Sequence, residues 1–262
     1  GLGNNLFQLN KAYTLQHNGF DVEINISLLN DNIITKFLRW TNHDSVIIKN
    51  LLPDFKVNYG ISITNILPLI YIFLAHRFKL SDMQNFSCTS PFKSEVGYYQ
   101  KGVEINSLFR SQVRDLFGKS KLSLSANEGA DVVVHARLGD FPPPDRLDMG
   151  YYIRAIRDLG ESKVTVVTDT PSFVFKLSSA CKSEGLKVEV LQSCGTSALD
   201  DFLILREATK LVISNSTFCY WASQLSDAEV TYPSYRKPGV KWYFPIHNNI
   251  QHCVPSFQND AN

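Results

Sequence analysis

Apolar and polar positions fall into short alternating blocks along the second half of the chain. Val132-Val133-Val134 is an unbroken apolar run within 131–137, as expected of a buried strand. The spacing next predicts a helix over Tyr151–Leu159, a strand over Lys163–Thr168 and a helix over Ser172–Ser183 that Gly185 can close. A strand over Lys187–Leu191, a helix over Asp200–Thr209 and a short buried strand over Leu211–Ser214 follow. A helix over Ser216–Leu225 and a last strand over Glu229–Tyr232, ahead of Pro233, complete the series. Short β-rich runs separated by helical segments predict a parallel sheet with helices on both faces.

The first half is less regular. A helix is predicted from about Asn5 to His17, with Leu6, Phe7, Leu9, Tyr13 and Leu15 as its apolar positions. Phe20–Ile26 alternates like a strand, and Leu108–Phe117 has helical spacing. The polar, serine-rich stretch Lys119–Gly129 reads as a linker. The expected organisation is two α/β lobes, 1–125 and 126–262, with a ligand cleft between them.

Composition narrows the function classes. The 262 residues are 44% hydrophobic and 19% charged, which is a globular balance. A net charge of +1 gives no broad basic surface, so nucleic acid is not an expected partner. Any anion site must be built from a few placed groups. The five cysteines, Cys88, Cys181, Cys194, Cys219 and Cys253, are irregularly spaced and contain no CxxC pair. They are expected to be mostly buried thiols in a reducing compartment, without structural zinc. No signal peptide is visible, although the chain opens on Gly1. Ile66–Ala75, the longest apolar run, is too short to span a bilayer. It reads as a core helix, with membrane-surface contact as the minority reading.

Five places carry candidate chemistry. Gly1-Leu2-Gly3-Asn4 precedes a helix, where glycines admit close backbone approach and free amides favour negative charge. An ordinary helix start with an asparagine cap is the alternative, and taken alone the simpler reading. His135-Ala136-Arg137-Leu138-Gly139-Asp140 lies where a buried strand ends, and arginine offers a planar fork suited to phosphate. A structural ion pair between Arg137 and Asp140 is the alternative. Asp169 ends the Lys163–Thr168 strand, where a plain helix cap would suffice. Asn215-Ser216-Thr217-Phe218 sits between a buried strand and a helix, suited to a phosphate or to capping. Asp201, near the start of the preceding helix, suits the helix dipole. Asp200-Asp201 is not Asp-x-Asp, no Gly-x-Ser-x-Gly elbow occurs and no histidine pair has metal-ligand spacing on a helix.

In combination these segments resemble the α-1,2-fucosyltransferases of glycosyltransferase family 11, bacterial type. Gly1-Leu2-Gly3-Asn4-Asn5-Leu6-Phe7-Gln8 is similar to the family's Gly-Leu-Gly-Asn-Gln-Leu/Met-Phe-Gln. His135-Ala136-Arg137-Leu138-Gly139-Asp140-Phe141 is similar to its His-x-Arg-Arg-Gly-Asp-Tyr. Gly97-Tyr98-Tyr99-Gln100, Tyr151-Tyr152 with Ala155-Ile156, and Asp201 through Asn215-Ser216-Thr217-Phe218-Cys219-Tyr220-Trp221 resemble further family segments in order. Leu138 departs from the family pattern by replacing its second arginine, and Asn5 by replacing glutamine.

The resemblance implies a GT-B-like α/β fold with two Rossmann-like lobes and a donor-binding cleft between them. It implies GDP-β-L-fucose as donor and inverting transfer of fucose to O2 of a galactose residue, with no metal and no cofactor. Arg137 would stabilise the departing diphosphate, and Asp140 is the nearest candidate base. Gly1, Gly3 and Asn4 would face the β-phosphate and fucose. Ser216 and Thr217 would meet phosphate beside Asn215 and Phe218. Asp169 or Asp201 would accept from guanine or ribose, and His135 would line the pocket. The acceptor would be a galactose-containing glycan or a lipid-linked oligosaccharide of a surface polysaccharide such as O-antigen. The expected location is cytoplasmic, with peripheral contact at the inner face of a bacterial membrane. Another nucleotide sugar on the same fold, or a non-catalytic glycan-binding relative, are the competing readings.

Overall fold

The computed structural model describes residues 2–25, 55–58, 104–118, 132–237, 240–241 and 251–256. The chain divides into two compact units, Gly1–Leu116 and Phe117–Asn262. The expected boundary at 125/126, the Lys119–Gly129 linker, Ile66–Ala75 and Gly97-Tyr98-Tyr99-Gln100 all lie outside the described residues.

In the first unit α1 (Leu2–His17) starts three residues earlier than its apolar spacing predicts. Gly3 and Asn4 therefore belong to its first turn instead of a loop before it. Leu6, Phe7 and Leu9 are buried, and the Tyr13 ring meets Phe55 at 5.8 Å and Phe109 at 5.6 Å. Phe109 belongs to α2 (Ser107–Gly118). The buried Asn10 side chain donates to the Glu104 carbonyl at 3.1 Å and accepts from the Asn106 amide at 2.9 Å. It thereby satisfies backbone groups that no helix or strand would otherwise pair. Two three-residue strands, β1 (Glu23–Asn25) and β2 (Lys56–Asn58), pair in parallel.

The second unit holds a six-stranded sheet in which every pairing is parallel. Its strands are β3 (Val132–Ala136), β4 (Lys163–Thr168), β5 (Glu189–Gln192), β6 (Lys210–Val212), β7 (Glu229–Pro233) and β10 (Gln251–Val254). A separate antiparallel pair, β8 (Tyr235–Lys237) and β9 (Val240–Lys241), lies between the last two in sequence. The connecting helices are α3 (Met149–Leu159), α4 (Ser172–Ser183), α5 (Ala198–Arg206) and α6 (Thr217–Leu225). Glu229–Pro233 is therefore not the last strand. β10 escapes apolar patterning because three of its four residues, Gln251, His252 and Cys253, are exposed at the sheet edge.

Local chemistry explains the element ends. Asp148 caps α3 by accepting from the Tyr151 amide at 2.7 Å. Gly185, at φ +74°, ends α4 as the sequence suggests. Its amide donates to the Lys182 carbonyl at 3.1 Å and the Leu186 amide to the Cys181 carbonyl at 2.9 Å, a Schellman closure. One core cluster joins Val132, Val134, Val164 and Val166 to Tyr151, Tyr152, Phe173 and Leu177. α5 buries Phe202, Leu203, Ile204 and Leu205 in succession, so its last full turn is enclosed on all sides while its first turn stays partly open to solvent.

The strand order is β10-β7-β6-β3-β4-β5. From β3 the chain winds outward through β4 to β5, then returns to β6 on the other side of β3 and winds outward again. This is the doubly wound dinucleotide-fold order, and it reverses direction between β3 and β6. In such sheets the crevice outside the carboxyl ends of the strands, at that reversal, is where ligands bind.

Candidate functional site

The His135–Asp140 segment and the Asn215–Phe218 corner emerge from β3 and β6, on the two sides of this switch point. His135 occupies the fourth position of β3 and is 4% exposed. Its Nδ1 lies 2.8 Å from Ser214 Oγ, just beyond β6, so one hydrogen bond bridges the reversal. Burial pushes the imidazole down to about 3, Arg137 acting in the same direction and Asp169 against it. The ring is therefore neutral near pH 7. It faces the Phe218 ring at 5.8 Å. Ser214 also lies 3.5 Å from the buried Cys219 thiol, and burial raises that thiol to about 11.

Arg137 follows β3 directly and is gripped by two carboxylates. Its Nε donates to Asp140 Oδ1 at 2.8 Å and its Nη2 to Asp140 Oδ2 at 2.7 Å. Nε also lies 3.3 Å from Asp169 Oδ2. Hydrogen bonding to Asp140, foremost, raises the guanidinium above its ordinary value and holds the Asp140 carboxyl below its own. The structural ion pair foreseen from the sequence is thus formed. It uses the side-on fork of Nε and Nη2, so the end-on fork of Nη1 and Nη2 is not engaged by the described residues. That end is the geometry that grips a phosphate with two parallel bonds.

Asp169 is not the cap of α4. Pro171 takes that position and makes no side-chain cap bond. Asp169 Oδ1 instead accepts from the amides of Leu138 at 2.9 Å and Gly139 at 3.1 Å. Leu138, the departure from the family pattern, packs against the core cluster beneath the loop.

Asp201 also does no capping. Ser197 caps α5 by accepting from the Asp200 amide at 3.1 Å, while Asp200 accepts from Thr196. Asp201 is half-buried, and burial, reinforced by Asp200, raises its carboxyl above the usual range. Gly195 packs so closely that a Cβ there would stand 2.2 Å from Asp201 Oδ1. The next residue on α5, Phe202, meets the Phe218 ring at 5.3 Å, which ties this helix to the α6 corner.

At that corner the capping alternative is realised in part. Ser216 is the N-cap of α6 and accepts from the Phe218 amide at 3.3 Å. Asn215 Nδ2 donates to the Asp145 carbonyl at 2.6 Å. Thr217 opens α6. The second unit therefore brings together His135, Arg137, Asp140, Asp169, Asp201, Asn215, Ser216, Thr217 and Phe218 at the carboxyl end of one sheet. Gly3 and Asn4 stand in the first turn of α1 in the other unit, and Gly1 lies outside the described residues. Sequence reasoning missed Ser214 and Cys219. Only the sheet order reveals that Ser214 lies opposite His135.

Two surface hollows lie elsewhere. One is lined by Gly160, Glu161, Leu186 and Val188, the other by Arg206, Thr209 and Asp227. Both sit at the amino ends of the strands, remote from the switch point. Among the described residues no group of three or more His, Cys, Asp or Glu is placed to hold a metal, and no helix is long and apolar enough to cross a membrane. Of the four described cysteines, Cys181 and Cys219 are buried but Cys194 and Cys253 are exposed, so the expectation of mostly buried thiols fails for these two. Cys194 lies in the loop after β5 and Cys253 on the edge strand β10, where the sheet offers no cover.

No protein-family model matches the chain, and no curated protein matches it. Several solved structures are similar to it. POFUT1 in complex with GDP-fucose is 12% identical over 57% of this chain and 50% of that one, with a TM-score of 0.35. The E. coli heptosyltransferase WaaC with ADP is 11% identical over 55% and 43%, with a TM-score of 0.38. A glycosyl transferase family 9 protein from Veillonella parvula DSM 2008 is 12% identical over 96% and 67%, with a TM-score of 0.36. The chain spans about half the length of the first solved structures it matches. Likenesses with TM-scores of 0.35, 0.38 and 0.36 decide neither the fold nor the chemistry of this chain.

Proposed function

We propose that the chain is an inverting glycosyltransferase that moves L-fucose from GDP-β-L-fucose to O2 of a galactose residue, forming an α-1,2 linkage. The observation that carries this reading is Arg137 at the doubly wound switch point, held side-on by Asp140 with its Nη1 and the outer Nη2 hydrogen not engaged by the described residues. The family motifs supply the donor and the linkage. The acceptor is a galactose-containing glycan or a lipid-linked oligosaccharide, met on the cytoplasmic side with peripheral membrane contact.

In the reaction galactose O2 attacks the anomeric carbon of fucose from the face opposite GDP. The bond from that carbon to the β-phosphate oxygen breaks, its electron pair passes to the phosphate, and the proton of the attacking O2 hydroxyl passes to water or to the departing phosphate. Arg137 answers the charge that develops there, a fixed cation that needs no metal and little reorganisation. Ser216, the N-cap of α6, and Thr217, its first residue, are assigned to the same anion, because helix starts favour negative charge. His135, held neutral, lines the nucleoside pocket beside Asn215 and Phe218. Asp201, whose raised pKa reflects a carboxylate short of solvent, accepts from guanine.

Asp140 takes a second role. The Arg137 hydrogen bonds that lower its pKa make it a weak proton acceptor. We assign it to orienting Arg137 and not to deprotonating galactose.

Calorimetry tests the donor site. GDP is expected to bind in excess EDTA and to compete with GDP-fucose. Equal affinity for UDP and GDP, or a strict need for a divalent ion, would contradict the reading.

A further inference from the structure

Asp169 stands among the residues expected to touch the nucleotide, but its contacts point inward. The β3–β4 register sets Thr168 beside Ala136, which carries the next residue, Asp169, alongside Arg137. Oδ1 accepts from the Leu138 and Gly139 amides at 2.9 and 3.1 Å and from Thr170 Oγ1 at 3.2 Å. Oδ2 lies 3.3 Å from Arg137 Nε. The glycine at 139 fits the same contact: a Cβ there would stand 3.1 Å from Oδ2 and 3.2 Å from Cγ. One carboxylate therefore holds three consecutive residues of the loop, Arg137 by its side chain and Leu138 and Gly139 by their backbones.

We infer that Asp169 is a positioning residue for Arg137: it clamps the loop after β3 so that the end-on fork of the guanidinium meets the β-phosphate, and it makes no contact with the nucleoside. This inference rests on the donor reading given above. Asp140 and Asp169 divide the work. Asp140 sits three residues along the same loop and takes the side-on fork, so it moves with Arg137. Asp169 directly follows β4, the next strand in the sheet, and fixes the loop to it. Without that tie the Arg137–Asp140 pair persists but its direction is no longer set. The thermodynamic signature is specific. A residue that touches guanine or ribose contributes equally to GMP and GDP affinity. A residue that aims Arg137 contributes only to the increment between them, which the β-phosphate supplies.

The test uses the full chain, with Asp169→Asn as the first variant and Asp169→Ala as the second. Asparagine keeps an acceptor for the two amides but cannot accept from Arg137 Nε. Asp169→Asn is expected to leave GMP affinity within about twofold while GDP affinity and kcat fall on the order of 10-fold or more, the scale of one charge-assisted contact. Asp169→Ala should do the same and also speed hydrogen exchange at the Leu138 and Gly139 amides about 10-fold or more. Parallel loss of GMP and GDP binding in both variants would overturn the inference in favour of nucleoside contact. Unchanged amide exchange in Asp169→Ala would overturn the clamp itself. A wild-type chain that binds neither nucleotide would instead overturn the donor reading, and amide exchange would still decide the clamp.

Discussion

Arg137→Ala is the perturbation with the most separable consequences. On the folding side the loss is small. The Arg137–Asp140 pair is partly open to solvent, with side chains 35% and 62% exposed, so it is worth at most about 1 kcal/mol after screening. Asp169 keeps its bonds to the Leu138 and Gly139 amides in the variant. A chain of this size should therefore lose roughly 2–4 °C in Tm. On the chemical side the loss is large. Removing one preorganised donor at a developing oxyanion costs about 10²–10³ in kcat, and Arg137 contributes two end-on N–H groups together with a charge. We expect kcat to fall at least about 10³-fold, roughly 4 kcal/mol of transition-state stabilisation. Arg137→Lys keeps the charge without the fork and should fall between the variant and the wild type. The assay is release of GDP under saturating GDP-fucose, beside a thermal melt of each variant. An Arg137→Ala enzyme that folds and retains more than a tenth of wild-type kcat would refute the assignment.

Three further predictions follow from burial. His135 titrates far lower folded than its ordinary 6.5, so between about pH 6.5 and 3 the unfolded chain binds the extra proton; stability is full above that window and falls on acidification through it. Denaturant melts of His135→Asn should show a flatter acid limb than wild type, by up to about 1.4 kcal/mol per pH unit, and identical slopes would count against a buried neutral ring. Asp201 has a raised pKa in the fold, so its ionisation costs stability above its folded pKa and costs none in strong acid. Asp201→Asn should raise Tm at pH 7, not at pH 3, while weakening GDP by about 10-fold; unchanged GDP affinity would remove Asp201 from the guanine site. The Tyr152 hydroxyl is fully buried and has no hydrogen-bond partner among the described residues, so Tyr152→Phe should be neutral or stabilising by about 1 kcal/mol in a melt.

The sequence was legible where local chemistry decides the element. β4 and α4 run over Lys163–Thr168 and Ser172–Ser183, as their spacing predicts, and Gly185 closes α4 because only the αL turn needs it there. α1 was less legible, because Gly3 is a poor helix former and concealed a helix that begins at Leu2. β10 was illegible, because an edge strand with an exposed face carries no apolar run. At the site, residue types alone marked His135, Arg137 and Asp140. They could not separate capping from tertiary roles at Asp169 and Asp201. Those roles depend on which strand lies beside which, and on Ser197 and Pro171 already holding the cap positions. The His135–Ser214 bridge spans 79 residues and follows from the sheet order alone.

The most direct measurement is product mass after incubating the purified chain with GDP-fucose and a panel of galactose-terminated oligosaccharides, with parallel incubations containing GDP-mannose or UDP-galactose. The account predicts that GDP-fucose alone is consumed, that one acceptor gains a single deoxyhexose, and that an α-1,2-specific fucosidase removes it. Consumption of GDP-mannose or UDP-galactose in its place, or no transfer to any galactoside, would contradict it.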